Sequence, residues 1–195
     1  MEMSYGKYIV IPIFIALQAF TMMVIAPYVP LNGTVEGGLG LITWVSFQAW
    51  AMYFLAGCTP KMGVKTLIGY GGGIVASIAI FELGKLFGGL NGEKDLWGLY
   101  LAAFLVVIVV ISMEKVPWCD FVPSYFLGAG VFFALMTYLK QPEGANMGTC
   151  TWYGTVALAE MVACAVGLLY GAITVVCRVW YEGKVGKKIE ETAEK

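Results

Sequence analysis

A chain of 195 residues that is 59% hydrophobic, only 13% charged and of mean hydropathy +0.79 cannot hide its apolar surface inside one soluble core. A net charge of −1 excludes the basic footprint of a nucleic-acid partner, and the chain has no histidine to serve as a metal ligand or general base. The composition predicts an all-α polytopic membrane bundle of about six spans, each near the roughly 20 residues that cross a bilayer core. Residues 1–180 form the six-span domain and 181–195 a charged cytoplasmic tail with some helical potential.

The first span is expected over 8–29. It exceeds a signal-peptide core and lacks a small-residue cleavage pattern, so it stays as a helix. Gln18 and Thr21 are its deep polar groups, and Pro27, Pro30, Asn32 and Gly33 end it. The second span, 39–57, opens on Trp44. Trp50 lies about 9 Å further along the axis, where an indole N–H needs a partner or a cavity. Ser46, Trp50 and Tyr53 share one face, which suits either a narrow pore lining or hydrogen-bonded glue between helices. Gln48 is a further polar group there.

Cys58, Thr59, Pro60 and Lys61 make a tight turn into the third span, 62–87. Gly69, Gly73 and Ser77 recur every four residues, a ridge that lets helix backbones approach closely. Such small-residue surface exceeds what internal packing is expected to use, so a homo-oligomer is expected. Gly71-x-Gly73-x-x-Ala76 matches a loose dinucleotide fingerprint, but no strand precedes it. Near the end of this span Glu82 pairs with Lys85 at i, i+3. Gly88, Gly89, Asn91 and Gly92 close the span.

The fourth span is expected over 96–113 and the fifth over 119–139, with Pro117 between them. Val45–Ala56 lies over Pro123–Ala134 with Ser46 on Ser124, Ala51 on Ala129 and Phe54 on Phe132. Each would be the middle helix of a three-helix unit, and an odd number of spans inverts the second copy. Gln141, Pro142, Glu143 and Gly144 open the last loop.

Span six, 152–179, carries Glu160 well inside the apolar zone. A carboxylate there is expensive and should face the bundle or water, as a polar lining group, a proton-coupled site or a structural anchor. Cys164, Gly167, Gly171 and Thr174 continue its stripe. If Glu82 faces the same cavity, the two form an acidic vestibule.

Nine of the twelve lysines and arginines, among them Lys7, Lys61, Lys65, Lys115 and Arg178, fall on the side shared by the termini. Only Lys85, Lys94 and Lys140 fall opposite, which places both termini in the cytoplasm. Trp44, Trp97, Trp152, Trp118 and Trp180 sit where an aromatic belt would put them. Five cysteines, Cys58, Cys119, Cys150, Cys164 and Cys177, include no C-x-x-C pair, so they read as packing residues. No nucleophile elbow, P-loop or cluster of metal ligands supports an enzyme, a metal or a cofactor.

The stretch LITWVSFQAWAMYFLAGCTPKMGVKTL resembles the second-helix region of the YcdZ-like bacterial inner-membrane proteins, a domain-of-unknown-function family. DFVPSYFLGAGVFFA is similar to that family's F-V-P-x-x-F-x-G segment at Phe121, Val122, Pro123, Phe126 and Gly128. The resemblance implies a small multi-span protein of a prokaryotic inner membrane and supplies no catalytic residue. The favoured function is a channel or facilitator for a small solute. The alternative is a non-transporting component that assembles with or regulates a partner, and a membrane enzyme comes third.

Overall fold

The computed structural model describes residues 3–29, 40–88, 97–141 and 146–193, with side chains as far as Val185. Pro30, Asn32, Gly33, Gly89, Asn91, Gly92, Lys94, Pro142, Glu143 and Gly144 lie outside the described residues. Those described form helices and no strand. Taken in order, they are α1 (Tyr5–Tyr28), α2 (Thr43–Leu55), α3 (Pro60–Gly88), α4 (Trp97–Lys115), α5 (Val122–Tyr138) and α6 (Thr149–Ala193). The ends of α1 and α4 tighten into single 3₁₀ turns.

Length and composition alone let α1, α3, α4 and α6 cross a membrane. The other two are shorter than expected: α2 has 13 residues and α5 has 17, so they reach only about 20 and 26 Å. The fifth stretch starts three residues late because Phe121, at φ −92° and ψ 74°, is outside the helical region and Asp120 is bonded to Lys65, while Trp118 before them turns at φ 72°. At the other end of the chain, α6 runs unbroken from Thr149 through the charged tail to Ala193.

Local chemistry sets the boundaries. Gly57, at φ 97°, and Cys58, at φ 59°, follow α2, with Gly57 N–H donating to the Phe54 carbonyl and Cys58 N–H to that of Tyr53. That pair of bonds is a Schellman motif, and the glycine supplies the left-handed residue it needs. Pro60 then opens α3, a position where a missing N–H costs nothing.

The interior is built from two parallel pairs. Along α6, Gly167 lies under the Ser46 carbonyl and Gly171 under the Tyr53 ring, so α2 packs parallel to α6. Along α3, Gly69 faces Ser124 and Gly73 faces Gly128, so α5 packs parallel to α3. The pairs meet in opposite directions, with Gly71 near Met161 and Glu82 bonded to Tyr153. Phe81 and Phe133 meet edge to face at 4.8 Å between α3 and α5. Only 22% of α1's apolar window and 11% of α4's are buried, against 44% for α6, which leaves those two helices at the rim.

The Gly69/Gly73/Ser77 ridge is consumed inside the chain. A Cβ on Gly73 would sit 2.3 Å from the Tyr125 carbonyl oxygen, and Ser77 Oγ donates to the carbonyls of Gly73 at 3.0 Å and Ala129 at 3.3 Å. The ridge is therefore occupied by α5. Trp152 departs from the aromatic belt because it is buried in the core, whereas Trp44, Trp97, Trp118 and Trp180 are exposed.

At the opposite end of α3 from Glu82, Lys65 bonds Asp120 at 2.6 Å, joining the helix to the connection between α4 and α5. The Lys65 ammonium holds the Asp120 carboxyl below its usual range. Because the folded value lies below the unfolded value of about 3.9, this stabilisation is present at neutral pH and lost as pH falls through the depressed value. Asp120→Asn should make the unfolding temperature less sensitive to acid below about pH 4. Equal acid slopes for the two proteins would contradict the coupling.

Candidate functional site between the two long helices

Glu160 is fully buried on α6, and neither of its carboxyl oxygens has a hydrogen-bond partner. Opposite it, α3 presents Tyr70, also fully buried and with an unpartnered hydroxyl. Their neighbours Gly71 and Met161 set the level: a Cβ on Gly71 would lie 3.7 Å from the Met161 methyl. Cys164, one turn past Glu160 and likewise buried, is within electrostatic reach of both. The helix period brings Glu160 and Cys164 onto one face.

The chemistry of this set is narrow. It has a carboxyl, a phenol and a thiol, and no cation is bonded to any of them. An ionised carboxylate left unpaired in an apolar core costs several kcal/mol, on the order of the penalty for any buried lone charge. Such a group is tolerated when it carries a proton, meets water or holds a small polar or cationic guest. Among the described residues no three His, Cys, Asp or Glu side chains converge as metal ligands.

A latch lies about 10 Å along α6 from Glu160. Tyr153 donates to Glu82 Oε1 at 2.9 Å, Lys85 donates to the same oxygen at 2.6 Å, and the ammonium lies 5.6 Å from the Tyr153 ring centroid. Glu82 thus ties α3 to α6 at the protein surface. It does not join Glu160 in an acidic vestibule, because one carboxyl is half exposed and the other sealed.

The predicted aromatic stripe is placed elsewhere. Ser46 Oγ donates to the Ala163 carbonyl at 2.8 Å, a bond between helices. Trp50 packs on Phe47 and on Tyr170, about 15 Å along α6 from Glu160, and its buried indole N–H has no partner. Tyr53 packs on Gly171. The three residues share the α2–α6 contact rather than a lining opposite Glu160. A separate polar knot binds α1 to α6, where Thr174 donates to Gln18 at 2.8 Å and Thr21 meets the Tyr170 hydroxyl at 3.3 Å.

Tyr70 is the residue that motif reading passes over. Its signal is a phenol set among Gly69, Gly71, Gly72 and Gly73, where a polar tip has no route to water. Three cavities stand out among the described residues, and Glu160 borders none of them. Glu160 and Tyr70 are both sealed from the surface.

The described residues, all helical, with four helices long and apolar enough to cross a membrane and a sealed carboxyl among them, suggest a membrane protein. Residues 9–178 match the model of a family described as a protein of unknown function (DUF1097), and the chain belongs to that family. No curated protein and no solved structure matches it.

Proposed function

We propose that the chain is a channel or facilitator for a small solute, seen closed, with its path between α3 and α6. It crosses a prokaryotic inner membrane six times, keeps both termini in the cytoplasm, and is one of the YcdZ-like proteins it resembles. The observation that carries this reading is the sealed, unpartnered Glu160 facing the equally unpartnered Tyr70. A closed bundle with no transport task gains nothing from keeping both groups. A carboxyl and a phenol with no base beside them favour a small neutral polar solute or a monovalent cation over an anion.

The pairing of helices supports an inverted duplication. If α1–α3 and α4–α6 are the halves, each short helix packs on the long helix of the other half. Ser46 begins α2 against Gly167 and Ser124 begins α5 against Gly69, so the aligned serines meet aligned roles. The residues preceding the two helices share nearly one backbone conformation, φ −81° and ψ 86° at Ile42, φ −92° and ψ 74° at Phe121. Alternating movement of such halves about a central site is a common transport device.

Proteoliposome flux tests the reading with a panel of small neutral solutes and monovalent cations. The wild type should pass at least one faster than protein-free vesicles, and Glu160→Gln should change that rate. Absence of flux for the whole panel would contradict it. The orientation is tested separately by labelling Cys58 and Cys150, which should react from opposite sides, Cys58 from the cytoplasm.

A second reading, a non-transporting component that docks on a partner, draws on the rim. Phe104, Leu105 and Ile108 of α4 are all exposed, and a partner helix would cover them as well as lipid does.

A further inference from the structure

Two cavities that adjoin at one end of the molecule have complementary chemistry. The first, about 360 Å³, lies between the start of α3 and the connection from α4 to α5, and is lined by Lys61, Lys65, Lys115, Glu114, Trp118 and Asp120. The second, about 540 Å³, is an apolar groove walled by Ile68, Val75 and Ala79 of α3 and by Val106 and Val110 of α4. Their linings are neighbours in the chain. Met113 and Cys119 line the groove, while Glu114 and Trp118 line the charged pocket.

The charge balance of the pocket is positive. Lys65 is matched by Asp120, whereas Lys61 and Lys115 make no ion pair among the described residues. Glu114 makes none either, so one positive charge remains unmatched. The N-terminal dipole of α3 and the C-terminal dipole of α4 oppose each other there, which leaves the side chains to set the sign. Trp118 is held at φ 72° with its ring 5.8 Å from the Lys61 ammonium. A bulky residue in that conformation is strained, and such strain gathers at ligand clamps.

The groove rises from Ile68 to Ala79, about 16 Å along α3. Gly71, Gly72, Ala76 and Ala79 make it by lacking bulk. A lysine-bearing mouth above an apolar channel of that length fits a molecule with an anionic phosphate head and a long hydrocarbon tail. A free phosphate would leave the groove unused, and an apolar helix would bury the unmatched positive charge without a partner.

We infer that α3, α4 and α5 hold an anionic phospholipid, its headgroup against Lys61 and Lys115 and an acyl chain in the groove. The site lies between α3 and α4, Glu160 does not border it, and it does not depend on solute passage. Basic pockets between spanning helices are suited to such headgroups.

The test is native mass spectrometry of the full chain released from vesicles of phosphatidylcholine mixed with phosphatidylglycerol. The wild type should retain phosphatidylglycerol in preference to phosphatidylcholine. Lys61→Gln with Lys115→Gln should reduce that preference by about thirtyfold, from two lysines near a headgroup. Ala79→Phe, which fills the groove, should reduce retention of both lipids. Inorganic phosphate added to protein in phosphatidylcholine vesicles should leave its unfolding temperature unchanged. Equal retention of the two lipids by the wild type, or an unchanged preference in the double variant, overturns the proposal. So does a stabilising shift with phosphate alone, which would assign the lysines to a free anion.

Discussion

Gly128→Val is expected to abolish the folded protein, while Gly130→Val, two residues away, leaves it folded. A Cβ on Gly128 would lie 2.5 Å from the Tyr70 carbonyl oxygen and 2.6 Å from the Tyr70 Cα. Both are backbone atoms of a rigid helix, so the valine is accommodated only by prising α5 from α3. Nothing lies within 4 Å of a Cβ on Gly130. Overpacking a close core costs roughly 1–3 kcal/mol and more where backbone has to move, so the expected loss is at least about 3 kcal/mol. Gly167→Val should behave like Gly128→Val, because its Cβ would meet the Ser46 carbonyl. Thermal unfolding followed by size-exclusion profile measures both, and equal stability of the Gly128 and Gly130 variants would contradict the packing account.

Glu160→Leu is expected to raise stability and remove function. A carboxyl that anchored its neighbours would leave them unsatisfied when replaced, and the protein would weaken. Here no hydrogen bond is lost, since both oxygens lack a partner, and an apolar side chain of similar size removes a buried polar group. The gain should be about 1–3 kcal/mol, read as a higher unfolding temperature. Glu160→Gln keeps an unpaired polar group and should change stability little. Solute flux should fall in both variants, most in the leucine. A marked loss of stability in Glu160→Leu would restore the anchor reading, because it would mean that partners had been left behind.

The parts of the fold that lie in composition were readable from the chain, and those that depend on which helix meets which were not. The long apolar runs announce α1, α3, α4 and α6 because each carries enough residues to cross. The shortness of α5 was hidden. Asp120 is drawn to Lys65, and Phe121, at φ −92° and ψ 74°, caps the helix, so it begins only at Val122. The small-residue ridges were visible, yet spacing names a packing surface without naming its partner. Gly69 and Gly73 turned out to serve α5, and Gly167 and Gly171 to serve α2.

Glu160 stood out in the sequence because a carboxyl in an apolar run has few permitted surroundings. Its companion Tyr70 did not, since a tyrosine is at home in a membrane helix whether its hydroxyl is bonded or bare. The stripe of Ser46, Trp50 and Tyr53 was a real face, but helical spacing fixes only that residues share a face. Which helix covers it is a property of the whole chain, and α6 covers it from Ala163, three residues past Glu160, to Gly171.

The central claim is that the sealed contact between α3 and α6 opens to water. It is tested most directly by replacing Glu160 with cysteine in a cysteine-free background and adding a small, membrane-impermeant thiol reagent to reconstituted protein. The claim predicts that Glu160→Cys reacts at a measurable rate, while Ala49→Cys, buried against Gly167, stays unmodified. A Glu160→Cys protein as inert as the Ala49→Cys protein would place position 160 in a static core and contradict the path.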